Sequence, residues 1–219
     1  MFLAIADALT PPEVTAIRDE AADLTFGDGR KTAGRHAAEV KANDQAAPSP
    51  ALEAIQAKVT TALMANPLFA SAARPRQMTP LILSRYRQGQ TYGTHVDDAL
   101  MRGLRTDLSF TLFLSDPDTY AGGALVIEDT LEAREIKLRA GDLILYPSTS
   151  LHRVAPVTSG ERLAMVGWVQ SWIRQAEQRE ILFDLDRSIV ALFDRDGKSE
   201  VCDTLTKTRS NLLRLWAET

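Results

Sequence analysis

The feature that most constrains this chain is the way residues 76–174 are cut into short β-forming runs. Such runs lie at Pro80 to Arg87, Thr106 to Ser115, Gly123 to Glu128, Glu135 to Leu138, Leu143 to Tyr146 and Leu163 to Trp172. Turn signals separate them: Ser115-Asp116-Pro117-Asp118, Gly122-Gly123, Ala140-Gly141-Asp142 and Thr158-Ser159-Gly160. Many short strands at this spacing predict a sandwich or a double-sheet jelly roll rather than a parallel sheet.

Helical periodicity flanks this block. Thr10-Pro11-Pro12-Glu13 has the form of a capping box with proline at the first helical position, and Val14, Ile17, Ala21 and Leu24 then recur on one face. From Phe26 to Pro50 the pattern is lost, which predicts an irregular connection that either covers the sheet or serves as a lid. A second helix carries Leu52, Ile55, Val59 and Leu63 and ends near Asn66-Pro67. From about Gln175 the helical period returns through Ile181, Leu182, Leu185, Ile189 and Phe193, is broken at Asp194-Arg195-Asp196-Gly197, and resumes to the C-terminus. The expected class is α+β: an N-terminal helical segment, 1–75, packing on a β core, 76–174, followed by a C-terminal helical segment, 175–219. The apolar faces of the last helices suit packing on the core or on a second copy of the chain, as a homodimer.

Composition narrows the partners. A chain of 219 residues with 45% hydrophobic and 25% charged residues has the mix of a soluble globular domain. With a net charge of −4 and scattered basic residues there is no electrostatic footprint for nucleic acid. No apolar stretch approaches the ~20 residues needed to cross a bilayer, so no membrane partner is expected. Met1 to Asp7 lacks the basic start of a signal peptide, and the single cysteine, Cys202, suits a reducing compartment. A cytoplasmic setting is expected.

The chemistry gathers around the histidines. His95 and Asp97 lie two apart beside predicted strand, where positions i and i+2 share a side, so an imidazole and a carboxylate can converge on one ion. His152 follows a short strand and the turn Pro147-Ser148-Thr149-Ser150. Two imidazoles and one carboxylate on one face of an octahedron leave three positions open, the arrangement of non-haem iron(II) oxygenases. Two of these can take a bidentate 2-oxo acid and the third dioxygen. Arg162, ten residues after His152, can return into the barrel and form a two-pronged pair with the distal carboxylate of 2-oxoglutarate. Alone, each residue has an ordinary structural explanation. The set of four, in this order within the β block, favours a shared site. A zinc hydrolase could use the same ligands but has no general need of such an arginine. A non-enzymatic sensor or scaffold could keep the metal and the organic acid without turnover. Tyr92 is placed to line the substrate mouth, and Trp168 and Trp172 are expected to pack the core against a flanking helix. His36 reads as a surface residue and Cys202 as part of a helix face.

The chain resembles the bacterial PKHD-type hydroxylases, relatives of prolyl 4-hydroxylase among the 2-oxoglutarate oxygenases. The resemblance rests on Asp28-Gly29-Arg30 with Thr32-Ala33-Gly34, Val40-Lys41, Asn43 with Gln45, Arg105 to Ser109 and Thr111 to Ser115. It continues through Gly141-Asp142-Leu143, Tyr146-Pro147, Ser150 to Val154 and Leu182 to Asp186, so it spans nearly the whole chain. It implies a double-stranded β-helix core, iron(II), 2-oxoglutarate as co-substrate, and L-ascorbate as reductant. Carried over, His95, Asp97 and His152 are the iron ligands, Arg162 is the anchor, and Tyr86 stands where related hydroxylases often place a tyrosine that bonds the co-substrate. The implied reaction uses dioxygen to hydroxylate a C–H bond of a small molecule or peptide, releasing succinate and CO2. The chain departs from the family pattern at Gly122-Gly123-Ala124, where Gly-Gly-Glu is usual, and at Asp98, where asparagine is common. Neither position is an expected ligand.

Overall fold

The strand Leu108–Phe113 is buried along its whole length, and its alternation explains the layering of the molecule. Leu108, Phe110 and Leu112 enter the main hydrophobic core, whereas Ser109 and Thr111 line a cavity on the other face. The apolar face requires a cover of helices. The hydroxyl face requires polar company, which a second sheet supplies across the cavity.

The computed structural model describes residues 1–128 and 131–218. The first third contains β1 (Leu3–Ile5), α1 (Pro11–Ala22), β2 (Phe26–Asp28), a 3-10 turn, α2 (Arg35–Glu39), β3 (Lys41–Ala42) and β4 (Asp44–Ala46). Next come α3 (Pro50–Ala65), α4 (Pro67–Ala73), β5 (Pro75–Met78), β6 (Ile82–Arg87), β7 (Thr91–His95), β8 (Leu100–Met101) and β9 (Leu104–Arg105). The strand described above is β10, followed by β11 (Tyr120–Gly122), β12 (Leu125–Glu128) and β13 (Ala133–Ile136). The chain ends with β14 (Leu143–Pro147), β15 (His152–Val154), β16 (Val157–Ser171), α5 (Ala176–Asp196) and α6 (Glu200–Trp216).

The larger sheet runs β1-β14-β10-β16-β6-β4-β2, with β5 and β11 also paired to β16. The smaller sheet runs β13-β12-β15-β7-β3, and β8 and β9 form a separate hairpin. All these pairings are antiparallel, and residues from both sheets line the cavity. The architecture is the expected α+β jelly roll. Period-two alternation recurs in β14, where Leu143 and Leu145 face the helices and Ile144 and Tyr146 face inward. In β16, Leu163, Met165 and Val169 join the outer core while Arg162, Val166 and Trp168 turn to the cavity. Helices α1, α3 and α4 close the outer face, and Phe69 meets Phe110 edge-on at 5.7 Å.

The N-terminal helix forms as its sequence predicts: Glu13 accepts bonds from both the backbone N and the hydroxyl of Thr10, each at 2.7 Å. Asn66 both ends α3 and caps α4, its side chain accepting from the amides of Leu68 and Phe69. The structure corrects three local expectations. Residues 26–50 are not irregular: β2 and β4 extend the larger sheet and β3 pairs with β7 beside His95, strands too short to show a period. On α5, Leu182 and Phe183 are buried, Phe183 in the main core, while Ile181 and Phe193 are half exposed. Trp168 and Trp172 do not share a packing role: Trp168 lines the cavity, while Trp172 lies beyond the end of β16, exposed, beneath the Arg76 guanidinium. Among the described residues, no helix is long and apolar enough to cross a membrane.

Asp186 fastens α5 to the core, accepting from Ser71 and Arg74 at 2.5 and 2.6 Å and also pairing with Arg209 of α6. Asp186→Ala leaves the buried Arg74 without its counter-ion and should cost about 3 kcal/mol of unfolding free energy, measured by urea titration.

Candidate metal centre and cofactor pocket

Histidine 95 ends β7, His152 begins β15, and the two residues are direct partners in the smaller sheet. The register slips there: Val154 pairs with Tyr92, so three steps along β7 match two along β15. This bulge turns Tyr92 and His95 to the same side, and their rings stack with centroids 3.7 Å apart. Gly93 lies within the bulge, where a Cβ would come within 2.7 Å of the Val40 side chain.

Asp97 follows in the loop. One donor atom from each of His95, Asp97 and His152 can be chosen so that all lie within 4.8 Å of one another. The Asp97 carboxylate is 4.0 Å from Nε2 of His95 and 3.8 Å from Nε2 of His152. Each imidazole is oriented by its own backbone: Nδ1 of His95 lies 2.9 Å from the Gly93 carbonyl, and Nδ1 of His152 lies 3.0 Å from that of Ser150. A carbonyl can only accept, so Nδ1 carries the proton and the Nε2 lone pair faces the carboxylate. Burial, followed by the neighbouring His152, pushes His95 down to about 4, which keeps it a neutral ligand. Ser109 donates to Asp97 Oδ2 at 2.5 Å and is 2.8 Å from the Ser148 hydroxyl. These serines were not singled out in the sequence. The signal was present in the polar alternation of β10, which places Ser109 on the cavity face.

Arg162 and Tyr86 are register partners on β16 and β6 and therefore share a face. The Arg162 guanidinium lies 5.3 Å from the ring centres of Tyr86 and Phe113. Arg162 is 1% exposed, its Nε has no hydrogen-bond partner, and no carboxylate pairs with it among the described residues. Burial pushes Tyr86 up to about 12, which keeps its hydroxyl a donor. Gly123 makes room for this arginine, since a Cβ there would stand 3.2 Å from Arg162 Cδ. The triad, Arg162, Tyr86 and Tyr92 all line one cavity. Lys41, Asn43 and Trp168 line it too, and the indole N–H of Trp168 is buried without an acceptor. His36 is exposed on α2 and Cys202 is buried on α6, both apart from the cavity lining.

The donor set suits a divalent first-row metal with open positions: two neutral imidazoles, one hydrogen-bonded carboxylate, and space beyond them. The unpaired Arg162 suits an organic anion, because a buried cation without a counter-ion is costly.

Comparison with known proteins agrees with this chemistry. A family model described as the 2OG-Fe(II) oxygenase superfamily matches residues 81–170, and one described as the PKHD-type hydroxylase C-terminal domain matches residues 177–218. The chain is 50% identical over 218 residues to a PKHD-type hydroxylase of Maricaulis maris, covering 100% of both chains. It is likewise 50% identical over 219 residues to one of Picosynechococcus, again covering 100% of both. Among solved structures, a Pseudomonas putida prolyl-4-hydroxylase is similar in fold, with a TM-score of 0.54 and 20% identity over 78% of this chain and 92% of that one. HygX from Streptomyces hygroscopicus, solved with nickel and 2-oxoglutarate bound, gives a TM-score of 0.57 and 16% identity over 78% and 84%.

Ser109→Ala removes the bond that holds Asp97 and should weaken iron(II) or nickel(II) binding about 10- to 100-fold, read by metal titration. The metal-free protein should also be acid-sensitive. His95 ionises near 6.5 when unfolded and about 4 when folded, so its contribution is present above pH 6.5 and is lost as pH falls towards 4. Melting temperature across that window should fall in the wild-type apoprotein and fall less in His95→Gln; identical curves would contradict this.

Proposed function

Because the chain belongs to the PKHD-type hydroxylases within the 2OG-Fe(II) oxygenase superfamily, and is thus an enzyme that uses iron(II) and 2-oxoglutarate, we propose specific roles for the residues around its cavity. His95, Asp97 and His152 hold the iron, Arg162 anchors the distal carboxylate of 2-oxoglutarate, and Tyr86 donates a hydrogen bond beside it. The reaction is hydroxylation of a C–H bond in a small molecule or peptide, with ascorbate as the reductant typical of the family. The observation that carries this reading is a fully buried arginine with no carboxylate partner, in the same cavity as two imidazoles and a carboxylate turned towards one point.

When bound, iron(II) with 2-oxoglutarate supplies the oxidative chemistry, directing one atom of dioxygen into the substrate C–H bond and the other into succinate as CO2 leaves. The protein contributes placement. The Gly93 and Ser150 carbonyls fix which imidazole nitrogens face inward. Asp97 supplies a negative charge that favours a divalent cation, and Ser109 fixes its rotamer. Arg162 presents planar donors in a water-poor setting, where a charge-assisted bond is strong. Tyr92, Tyr146 and Trp168 wall the cavity and limit water around the reacting groups. In this division of labour, 76–174 carries the dioxygenase core, 1–75 adds helices and the strands β1 to β4 to it, and 175–219 packs against it.

Anaerobic addition of iron(II) and 2-oxoglutarate should give a weak visible charge-transfer band in the wild type. Arg162→Met should require much more 2-oxoglutarate to reach the same band, and Asp97→Ala should abolish both the band and substrate-coupled succinate formation. A folded, iron-loaded wild type without the band would overturn the assignment.

A further inference from the structure

We propose that Lys41 forms a second anion subsite in the cavity, and that the substrate of this enzyme carries a carboxylate that binds there. The inference rests on the co-substrate site just described and adds the substrate's chemical class. Lys41 lies on β3 directly opposite Tyr92 on β7, and opposed residues of an antiparallel pair turn to the same face. Its ammonium sits 4.7 Å from the centre of the Tyr92 ring, and that ring stacks on His95. One aromatic ring therefore links Lys41 to the metal-facing triad.

Lys41 is 7% exposed, yet no carboxylate pairs with it among the described residues. Of its three donors, one is used, on the Thr32 hydroxyl at 3.1 Å. That hydroxyl is itself held by Gln45 Oε1 at 2.7 Å, so the lysine head is fixed. Charge balance explains why this lysine remains free for substrate. Iron(II) and Arg162 bring three positive charges, which Asp97 and the two carboxylates of 2-oxoglutarate match. Asp98 also lines the cavity but is exposed to water, so among the described lining residues Lys41 is the buried cation left without a buried counter-ion of its own. A buried charge of this kind is stabilised by an anion that arrives with the ligand. A carboxylate fits better than a phosphate, because among the described residues the one other cation in the lining is Arg162, already committed in the proposed site, and a lone ammonium beside a hydroxyl matches a monoanion.

The test uses nickel-loaded protein saturated with 2-oxoglutarate and isothermal titration with paired probes: benzoate against benzamide, and N-acetylglycine against its amide. In the wild type each acid should bind at least about tenfold more tightly than its amide, a difference of about 1.4 kcal/mol. Lys41→Met keeps the stem over Tyr92 and should erase that difference, while Lys41→Arg should restore part of it. The affinity for 2-oxoglutarate should stay within about twofold in Lys41→Met and fall steeply in Arg162→Met. Equal binding of acids and amides in the wild type, or a difference that survives in Lys41→Met, would overturn the proposal. So would tighter binding of phenyl phosphate than of benzoate. Loss of 2-oxoglutarate affinity in Lys41→Met would assign the lysine to the co-substrate instead. A metal-loaded wild type that fails to bind 2-oxoglutarate would refute the site roles of the preceding subsection first, and this inference with them.

Discussion

The functional site depends on two short hydrogen bonds from imidazole to backbone, His95 Nδ1 to the Gly93 carbonyl and His152 Nδ1 to the Ser150 carbonyl. Each spans two residues and lets the local backbone choose a tautomer. Together they leave both Nε2 atoms as lone-pair donors within 4.0 Å of the Asp97 carboxylate. The pairing of β7 with β15 brings these short-range arrangements together, and the bulge at Gly93 lets a tyrosine three residues upstream support the ring of His95. A residue with a side chain at Gly93 would press on Val40 and disturb the bulge.

The same sheets solve a second problem, keeping charged groups in a place with little water. The outer face of β10, β14 and β16 is closed by α1, α3 and α4, which makes the larger sheet a rigid wall. Its inner face can then carry Arg162, Ser109 and Trp168 without loss of packing. The low dielectric that makes Arg162 and Lys41 costly to leave unpaired also makes them selective for anions. In the roles proposed above, a bound co-substrate and substrate complete these charges.

Much of this was legible in the sequence. Turn-punctuated runs from 76 to 174 predict a double sheet, and the sheet is there. Thr10 with Glu13 forms the expected cap, and His95, Asp97, His152 and Arg162 come together on one cavity as their order and strand positions imply. Less visible were β2, β3 and β4, each of two or three residues, too short for a period to emerge from 26–50. Two tryptophans four apart in an extended strand share a face, which predicts one packing role for Trp168 and Trp172. The strand ends at Ser171, however, so Trp172 escapes the alternation. On α5 the apolar pattern overstated burial, since a helix pattern records which face is greasy and not what lies against it.

The sequence by itself determined the local geometry. Capping residues, turn dipeptides, two-residue alternation and the His-x-Asp spacing act over a few bonds, where backbone sterics and nearby hydrogen bonds decide the outcome. The tertiary structure decided which of these local pieces meet. Whether Ser109 faces Asp97, whether Tyr86 stands beside Arg162, and whether Lys41 is buried next to Tyr92 depend on strand register between segments far apart in the chain. Register is set by the fit of whole hydrophobic faces. That fit is a property of the assembled core and of no single segment, so the positions of Ser109 and Lys41 became apparent only when the sheets were paired.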